Sequence, residues 1–161
     1  MATIPIQSLA PRDQQPCKYI AAGEESGQTY KEGAPLVYDA TSQEGEEWAG
    51  GTDATAITGI AARNASETAG TKCPYYEAKP DTIFVGTFMN GTSNLELAAS
   101  HYDTEYSLLK QSSGMWTIDQ SDTSTKLVHV IGPASGSEVG DTNARVEFRF
   151  LTGKMADVPA S

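Results

Sequence analysis

The chain has 161 residues, with 11 Lys and Arg against 21 Asp and Glu, and a formal net charge of −10. An acidic chain without a basic stripe is a poor candidate for binding nucleic acid, because phosphate neutralisation needs clustered Lys and Arg. No run approaches the roughly 18 apolar residues of a membrane span. We therefore expect one domain with no nucleic-acid partner and no membrane partner.

The two cysteines, Cys17 and Cys73, belong to no C-x-x-C pair and form no disulfide framework. The first residues lack a basic segment followed by a long apolar one, so no secretory signal is evident. We expect a protein made in the cytoplasm with both thiols reduced.

Residues 1–16 are predicted to form an extended N-terminal arm. Three prolines in this segment remove backbone donors and disfavour a helix. Ile4, Ile6 and Leu9 then appear as apolar side chains with no local partner. Such an arm is either a frayed terminus or a segment that becomes ordered on a neighbouring protein.

Short runs rich in β-branched and aromatic residues follow, separated by Gly and Pro, which is typical of strands. The strands predicted in the first half of the chain are Cys17–Ala22, Leu36–Asp39, Ile57–Ala62, Tyr75–Lys79 and Ile83–Phe88. Between them, Thr41–Asp53 is predicted to be a Gly-rich acidic loop that carries Trp48. A Trp in such a loop either packs onto the core or acts as an interface anchor.

In the second half, the Asn90-Gly91 dipeptide predicts a turn, and Leu95–Ala98 is compatible with either a strand or one helical turn. Arg145–Leu151 alternates apolar and charged residues, which is the pattern of a strand with one buried face. The other strands predicted in this half are Tyr106–Lys110 and Met115–Asp119, which form a hairpin, and Lys126–Ile131.

No long stretch sustains the apolar period of a helix, whereas strand candidates recur at short spacing. The sequence therefore predicts an all-β fold, a small β-barrel or β-sandwich. Its β-rich domain is expected to span residues 17–152, between the arm at 1–16 and a flexible C-terminal tail at 153–161.

Residues with catalytic or metal-binding chemistry are few. His101 lies in a Ser-His-Tyr-Asp sequence without a G-x-S-x-G motif, and with Asp103 it offers only two metal ligands. His129 falls inside an apolar strand and is predicted to be a satisfied or half-exposed core histidine in preference to a ligand. Glu44, Glu46 and Glu47 are predicted to form a solvated turn in preference to a calcium site. We expect no enzymatic activity, no cofactor and no metal.

The order of elements resembles that of the capsid decoration, or cement, proteins of tailed bacteriophages. The similar features are a K-E-G-A-P-L-V-Y-D phrase with an acidic Gly-rich loop in Lys31–Asp53, and I-T-G-I-A-A-R-N-A in Ile57–Ala65. They continue with Tyr106–Leu109, with G-M-W-T-I-D in Gly114–Asp119, and with Gly140-Asp141 before the last alternating strand.

The resemblance implies a non-enzymatic structural protein of the virion that binds the outer surface of the assembled capsid and stabilises it across subunit junctions. It implies the major capsid protein as partner and a homo-oligomer, with a trimer favoured. By position, the arm would lie on the capsid through Ile4, Ile6 and Leu9, and Trp48 is a further candidate contact.

A carbohydrate-binding β domain of a virion or secreted protein is the alternative. In that case Trp48, Trp116 and tyrosines would stack on sugars. The scattered positions of these aromatic residues in the sequence and the missing secretory signal favour the capsid interpretation.

Overall fold

The computed structural model describes residues 1–51 and 53–158. Within these residues the protein consists of eleven strands and one short 3₁₀ turn at Ala99–His101, so the predicted all-β class is confirmed. The strands are β1 (Ala10–Pro11), β2 (Lys18–Ile20), β3 (Pro35–Tyr38), β4 (Gly45–Glu47), β5 (Gly59–Ala61), β6 (Cys73–Glu77), β7 (Phe84–Met89), β8 (Thr104–Lys110), β9 (Trp116–Asp119), β10 (Val128–Pro133) and β11 (Arg145–Phe150).

Five of the later strands form a closed barrel in the order β7-β11-β10-β8-β9. The ring closes where β9 runs parallel to the end of β7, with Phe88 opposite Ile118. The N-terminal strand β1 pairs with the beginning of β7, with Ala10 opposite Val85. One edge of β7 is therefore shared by two strands, β1 and then β9, and β1 is an extra strand at the seam of the barrel.

The remaining strands form an antiparallel sheet in the order β2-β6-β5-β3-β4. This sheet curls, because residues just after its first edge strand bond to its last one. Gly45 N donates to Gly23 O, and Glu25 N donates to Gly45 O, both at 2.9 Å. Both edges of this sheet therefore meet near Gly45.

Alternation places the core residues, as β11 illustrates. Val146, Phe148 and Phe150 are buried, whereas Glu147 and Arg149 face outward, as predicted from the sequence. The rings of Phe148 and Phe150 both pack against Phe84 of β7, with centroids 5.9 and 5.5 Å away. Side chains from both sheets join one continuous buried cluster, so the two sheets share a hydrophobic core.

The N-terminal segment differs from the expected free arm. It is extended, but Ile4 N donates to Thr142 O at 2.8 Å and Gln7 N donates to Thr87 Oγ1 at 3.0 Å. Leu9 is 2% exposed and lies in the core, so its side chain is not available for contact with a neighbouring protein, contrary to the prediction. The segment is attached along the barrel.

The residues after β11 are also held against the domain, in contrast to the expected tail. Ile57 N donates to Lys154 O at 2.8 Å, and Ala156 N donates to Ile57 O at 2.9 Å. Met155 and Val158 pack against the core. The last residues of the predicted tail, 159–161, lie outside the described part of the chain.

Over residues 1–51 and 53–158, no helix has the length and apolar character needed to cross a membrane.

Candidate functional site

A groove of about 520 Å³ lies between the two sheets, and both tryptophans contribute to its lining. One wall is formed by the end of β4 and the loop after it, and the opposite wall is formed by the end of β8. The residues that line the groove are Gly27, Gln28, Thr29, Glu47, Trp48, Ala49, Gly50, Gly51, Leu108, Leu109, Lys110 and Trp116.

The two tryptophans of the chain meet at the base of this groove. Their ring centroids are 5.5 Å apart, and the ring planes are tilted by 45°. Trp48 follows β4, and its backbone N–H donates to Pro35 O at 2.9 Å. Trp116 begins β9. Trp48 is 1% exposed and Trp116 is 3% exposed, so neither ring offers an open face to a ligand.

Glu47 joins the two walls of the groove. Its Oε1 accepts a hydrogen bond from Lys110 Nζ at 2.5 Å, and its Oε2 accepts one from Trp116 Nε1 at 3.0 Å. Its backbone N–H donates to Gln28 Oε1 at 2.8 Å. Because both carboxylate oxygens already have donors within the protein, Glu47 is suited to holding the two sheets together and is poorly placed to act as a general base.

A second surface lies at one end of the molecule, where the N-terminal segment meets the loop before β11. Met1 is 90% exposed and Val139 is 46% exposed. Met1 Sδ lies against Gly140, the residue that follows Val139, 2.6 Å from the position that a Cβ would take there. Glu138 is exposed beside them. We call the surface formed by Met1, Glu138 and Val139 the N-terminal face.

Buried Asp141 fixes the N-terminal face to the barrel. Its Oδ1 accepts a hydrogen bond from Ala2 N at 2.9 Å, and its Oδ2 accepts one from Glu138 N at 3.0 Å. These two bonds lower the pKa of the Asp141 carboxyl, because they stabilise its charged form. The N-terminal face is thus built on hydrogen-bonded backbone from both segments.

The structure separates the four predicted contact residues into two pairs. Ile4 and Ile6 lie on the surface and are partly exposed. Leu9 and Trp48 are buried in the core, which leaves their side chains unable to reach a partner in this fold. Val139 was not predicted from the sequence, although a lone Val in a loop rich in Gly, Ser and Glu indicates an exposed apolar residue.

Three carboxylates come together at the meeting edges of the curled sheet. Oxygens of Glu25, Asp39 and Glu46 lie within 4.8 Å of one another, so this group could offer three oxygen ligands to a cation. Protonated Glu46 can donate a hydrogen bond to the Glu25 carboxylate, and this bond, together with burial, raises the pKa of Glu46 to about 7. Of the acidic residues considered from the sequence, Glu46 alone belongs to this group, since Glu47 faces the groove.

The histidines make local contacts. His101 Nδ1 accepts a hydrogen bond from Ala98 N at 3.0 Å, and its ring packs edge-on against Phe88. Burial lowers the pKa of His101. His129 Nε2 lies 3.3 Å from the exposed Asp103. Among the described residues, neither imidazole is hydrogen-bonded to a serine or cysteine side chain, which a hydrolase triad would need.

Comparison of the chain with models of protein families, with curated proteins and with solved structures finds no match. Inference about function therefore starts from the surfaces described above and from the resemblance of sequence elements.

Proposed function

We propose that this protein is a non-enzymatic structural component of a tailed-bacteriophage virion. It binds the outer surface of the assembled capsid, contacts the major capsid protein and stabilises the shell across subunit junctions. Binding that selects the assembled shell over free subunits stabilises the shell by mass action.

The exposed apolar pair of the N-terminal face is the observation that carries this proposal. Among the described residues, the large apolar side chains that are exposed are Met1, Tyr19 and Val139, and Met1 lies against Gly140, the residue after Val139. Exposed apolar side chains at one end of a molecule, beside a charged residue, are suited to contact with another protein surface. Partly exposed Ile4 and Ile6 extend the apolar character along the same segment.

The attachment of the N-terminal segment strengthens this role. Ordering a free segment on a partner costs about 1 kcal/mol or more for each residue. Here the hydrogen bonds of Ile4 and Gln7 to the barrel hold the backbone in place before any partner arrives. A preordered face retains more of its burial energy on binding.

Repetition makes a small face sufficient. A homotrimer presents three copies of the N-terminal face, and simultaneous attachment of linked sites raises the overall affinity far above that of one site. We therefore include a homotrimer in the proposal, with the N-terminal face of each copy directed at the shell.

The groove between the sheets is the observation that favours the alternative of carbohydrate binding. It does bring Trp48 and Trp116 together, which their separation in the sequence did not predict. Sugar stacking requires an accessible ring face, and both rings are almost completely buried. The N-terminal face is the better-supported binding surface.

Co-sedimentation tests the proposal. The protein is mixed with empty capsids assembled from the major capsid protein encoded beside its gene, and separately with unassembled capsid protein. We expect saturable binding to the assembled capsids and raised thermal stability of the decorated shells. Failure to sediment with capsids, combined with binding to immobilised glycans, would replace this proposal with the carbohydrate alternative.

A further inference from the structure

The turn between β7 and the following segment contains the Asn90-Gly91 dipeptide in an exposed position. Asn90 and Ser93 bond to each other through their backbones, with Ser93 N donating to Asn90 O at 2.9 Å and Asn90 N donating to Ser93 O at 3.1 Å. Gly91 has a φ of 61°, a conformation that a side chain would disfavour. Gly is therefore favoured at this position of the turn.

The same dipeptide is chemically vulnerable. The backbone nitrogen of Gly91 can lose its proton and attack Cγ of Asn90, since a glycine presents no side chain to hinder the approach. The new N–C bond closes a succinimide ring while the Asn90 amide nitrogen leaves as ammonia. Water then opens the ring at either carbonyl and gives aspartate or isoaspartate. The reaction needs a free Gly91 nitrogen and a backbone able to rotate.

Both polar groups of Gly91 are held by buried side chains of the barrel. Gly91 N donates to Asp119 Oδ1 at 2.8 Å, and Gly91 O accepts a hydrogen bond from Gln111 Nε2 at 3.0 Å. Asp119 is 4% exposed, and Gln111 is also buried. A carboxylate that accepts the Gly91 N–H opposes loss of the proton, and the two bonds together prevent rotation of the peptide.

Each of the two holding side chains is itself fixed. Asp119 Oδ1 also accepts hydrogen bonds from Ser121 N at 2.8 Å and from Ser121 Oγ at 2.7 Å. Gln111 Nε2 also donates to Thr117 Oγ1 at 2.8 Å. The clamp on Gly91 is therefore a connected network in which Asp119, Gln111 and Thr117 are buried.

We propose that Asn90-Gly91 is a latent deamidation site, kept unreactive in the folded protein by the hydrogen bonds of Asp119 and Gln111 to Gly91. The modification appears when the clamp opens. It converts a neutral amide at the barrel end into a carboxylate and, in part, inserts an extra backbone methylene into the turn.

Peptide mapping by mass spectrometry tests this proposal after incubation in mildly alkaline buffer. We expect unmodified Asn90 in the folded protein, and conversion to aspartate and isoaspartate in the same protein held in urea. The variant Asp119→Ala should deamidate at Asn90 roughly tenfold or more faster than the folded parent, because it loses a charge-assisted hydrogen bond.

Two matched variants distinguish loss of the hydrogen bond from Gly91 to Asp119 from a general destabilisation of the fold. Asp119→Asn retains an oxygen acceptor for Gly91 N–H but loses the negative charge, so its rate should lie between those of the parent and Asp119→Ala. Ser121→Ala leaves the Gly91 bond in place and should stay close to the parent rate. In all variants, the Asn94-Leu95 and Asn143-Ala144 pairs should remain unmodified. Equal rates for Asp119→Ala and Ser121→Ala would overturn the proposal.

Hydrogen exchange of the parent protein gives a test that does not depend on a folded variant. The Gly91 amide should exchange slowly although it lies in an exposed turn, and it should exchange more slowly than the amide of Thr92. Rapid exchange at Gly91 would show that the clamp does not hold its nitrogen, and would refute the proposal independently of the mutants.

Discussion

Leu9 occupies the space beside Gly86 that a side chain at position 86 would need. A Cβ on Gly86 would collide with Leu9 Cδ2 and would lie 3.2 Å from Ile118 Cδ1. Strand β1 pairs with β7 directly before Gly86, and β9 pairs with β7 only from Phe88 onward. Leu9 therefore fills the seam of the barrel between two strands that share one edge.

The first prediction follows from this burial. Leu9→Ala should lower the free energy of unfolding by about 2–5 kcal/mol, the range for a buried Leu reduced to Ala. Ile6→Ala in the same segment should cost much less, because Ile6 is partly exposed. Urea unfolding of both variants measures the difference. Equal and small effects would mean that the N-terminal segment is not part of the barrel core.

The carboxylate group at Glu46 predicts a dependence of stability on pH. The folded pKa of about 7 lies above the ordinary value of 4.5, so the folded protein retains a proton that the unfolded chain releases. The contribution of the Glu46 carboxyl to the free energy of unfolding is fully present below pH 4.5 and is lost as the pH rises through 7. Allowing for its partial exposure, the loss should be about 1 kcal/mol.

Glu46→Gln should flatten this part of the stability curve and raise the stability above pH 7, because it removes the repulsion from Glu25. Glu44→Gln is the matched control, since Glu44 lies outside the three-carboxylate group. Stability is measured by urea unfolding across the pH range. A parent protein whose stability does not fall between pH 4.5 and 7 would contradict this prediction.

The hydrogen bonds of Glu47 predict that replacing Lys110 and replacing Glu47 itself lower the free energy of unfolding by different amounts. Lys110→Met should change the unfolding free energy by less than about 1 kcal/mol, because the Lys110 ammonium is well exposed. Glu47→Ala should cost about 1–3 kcal/mol, because the buried Trp116 N–H then loses its acceptor. Thermal unfolding followed by tryptophan fluorescence measures both. Equal costs would show that the ion pair dominates.

The N-terminal face predicts a selective loss of capsid binding. Val139→Glu should weaken binding at least about tenfold, because a carboxylate would be buried in an apolar contact. Tyr19→Glu serves as the control, since Tyr19 is exposed on the other sheet. Binding isotherms from co-sedimentation decide between them. Equal weakening by both changes would place the contact elsewhere.

The thiols should differ in reactivity. Both Cys17 and Cys73 are free, but Cys73 is fully buried and burial raises the pKa of its thiol. A thiol reagent should therefore modify Cys17 quickly in the native protein and Cys73 only on unfolding. Titration in denaturant without reductant should find two thiols. A titration that finds no free thiol would indicate a disulfide between Cys17 and Cys73. The sheet that contains β2 and β6 would then be arranged differently.

Most strands of both sheets could be predicted because local patterns specify them. In β11, alternation of Val146, Phe148 and Phe150 with charged residues reports directly which face is buried. Strand β4 was missed, because Gly45, Glu46 and Glu47 have low intrinsic preference for strands. Its conformation comes from pairing with β3, which is a tertiary effect.

The candidate binding surfaces were harder to predict from the sequence than the strands, because they are formed by tertiary contacts. Trp48 and Trp116 approach because β4 and β9 belong to two sheets that share one core, and no local pattern reports that contact. Leu9 was expected to be unpartnered because its partners, Gly86 and Ile118, are far away in the sequence. The local sequence pattern identified the apolar residues of the N-terminal segment, but it could not predict which residues they contact in the fold.

The position of β11 in the barrel has a consequence for how the chain folds. This strand lies between β7 and β10, yet it comes after every other strand in the sequence. A nascent chain that stops before Arg145 leaves an edge of β7 and an edge of β10 unpaired, and both are open to association with other chains. We therefore expect barrel formation to follow synthesis of β11, and to be slow because the pairings of the barrel are non-local.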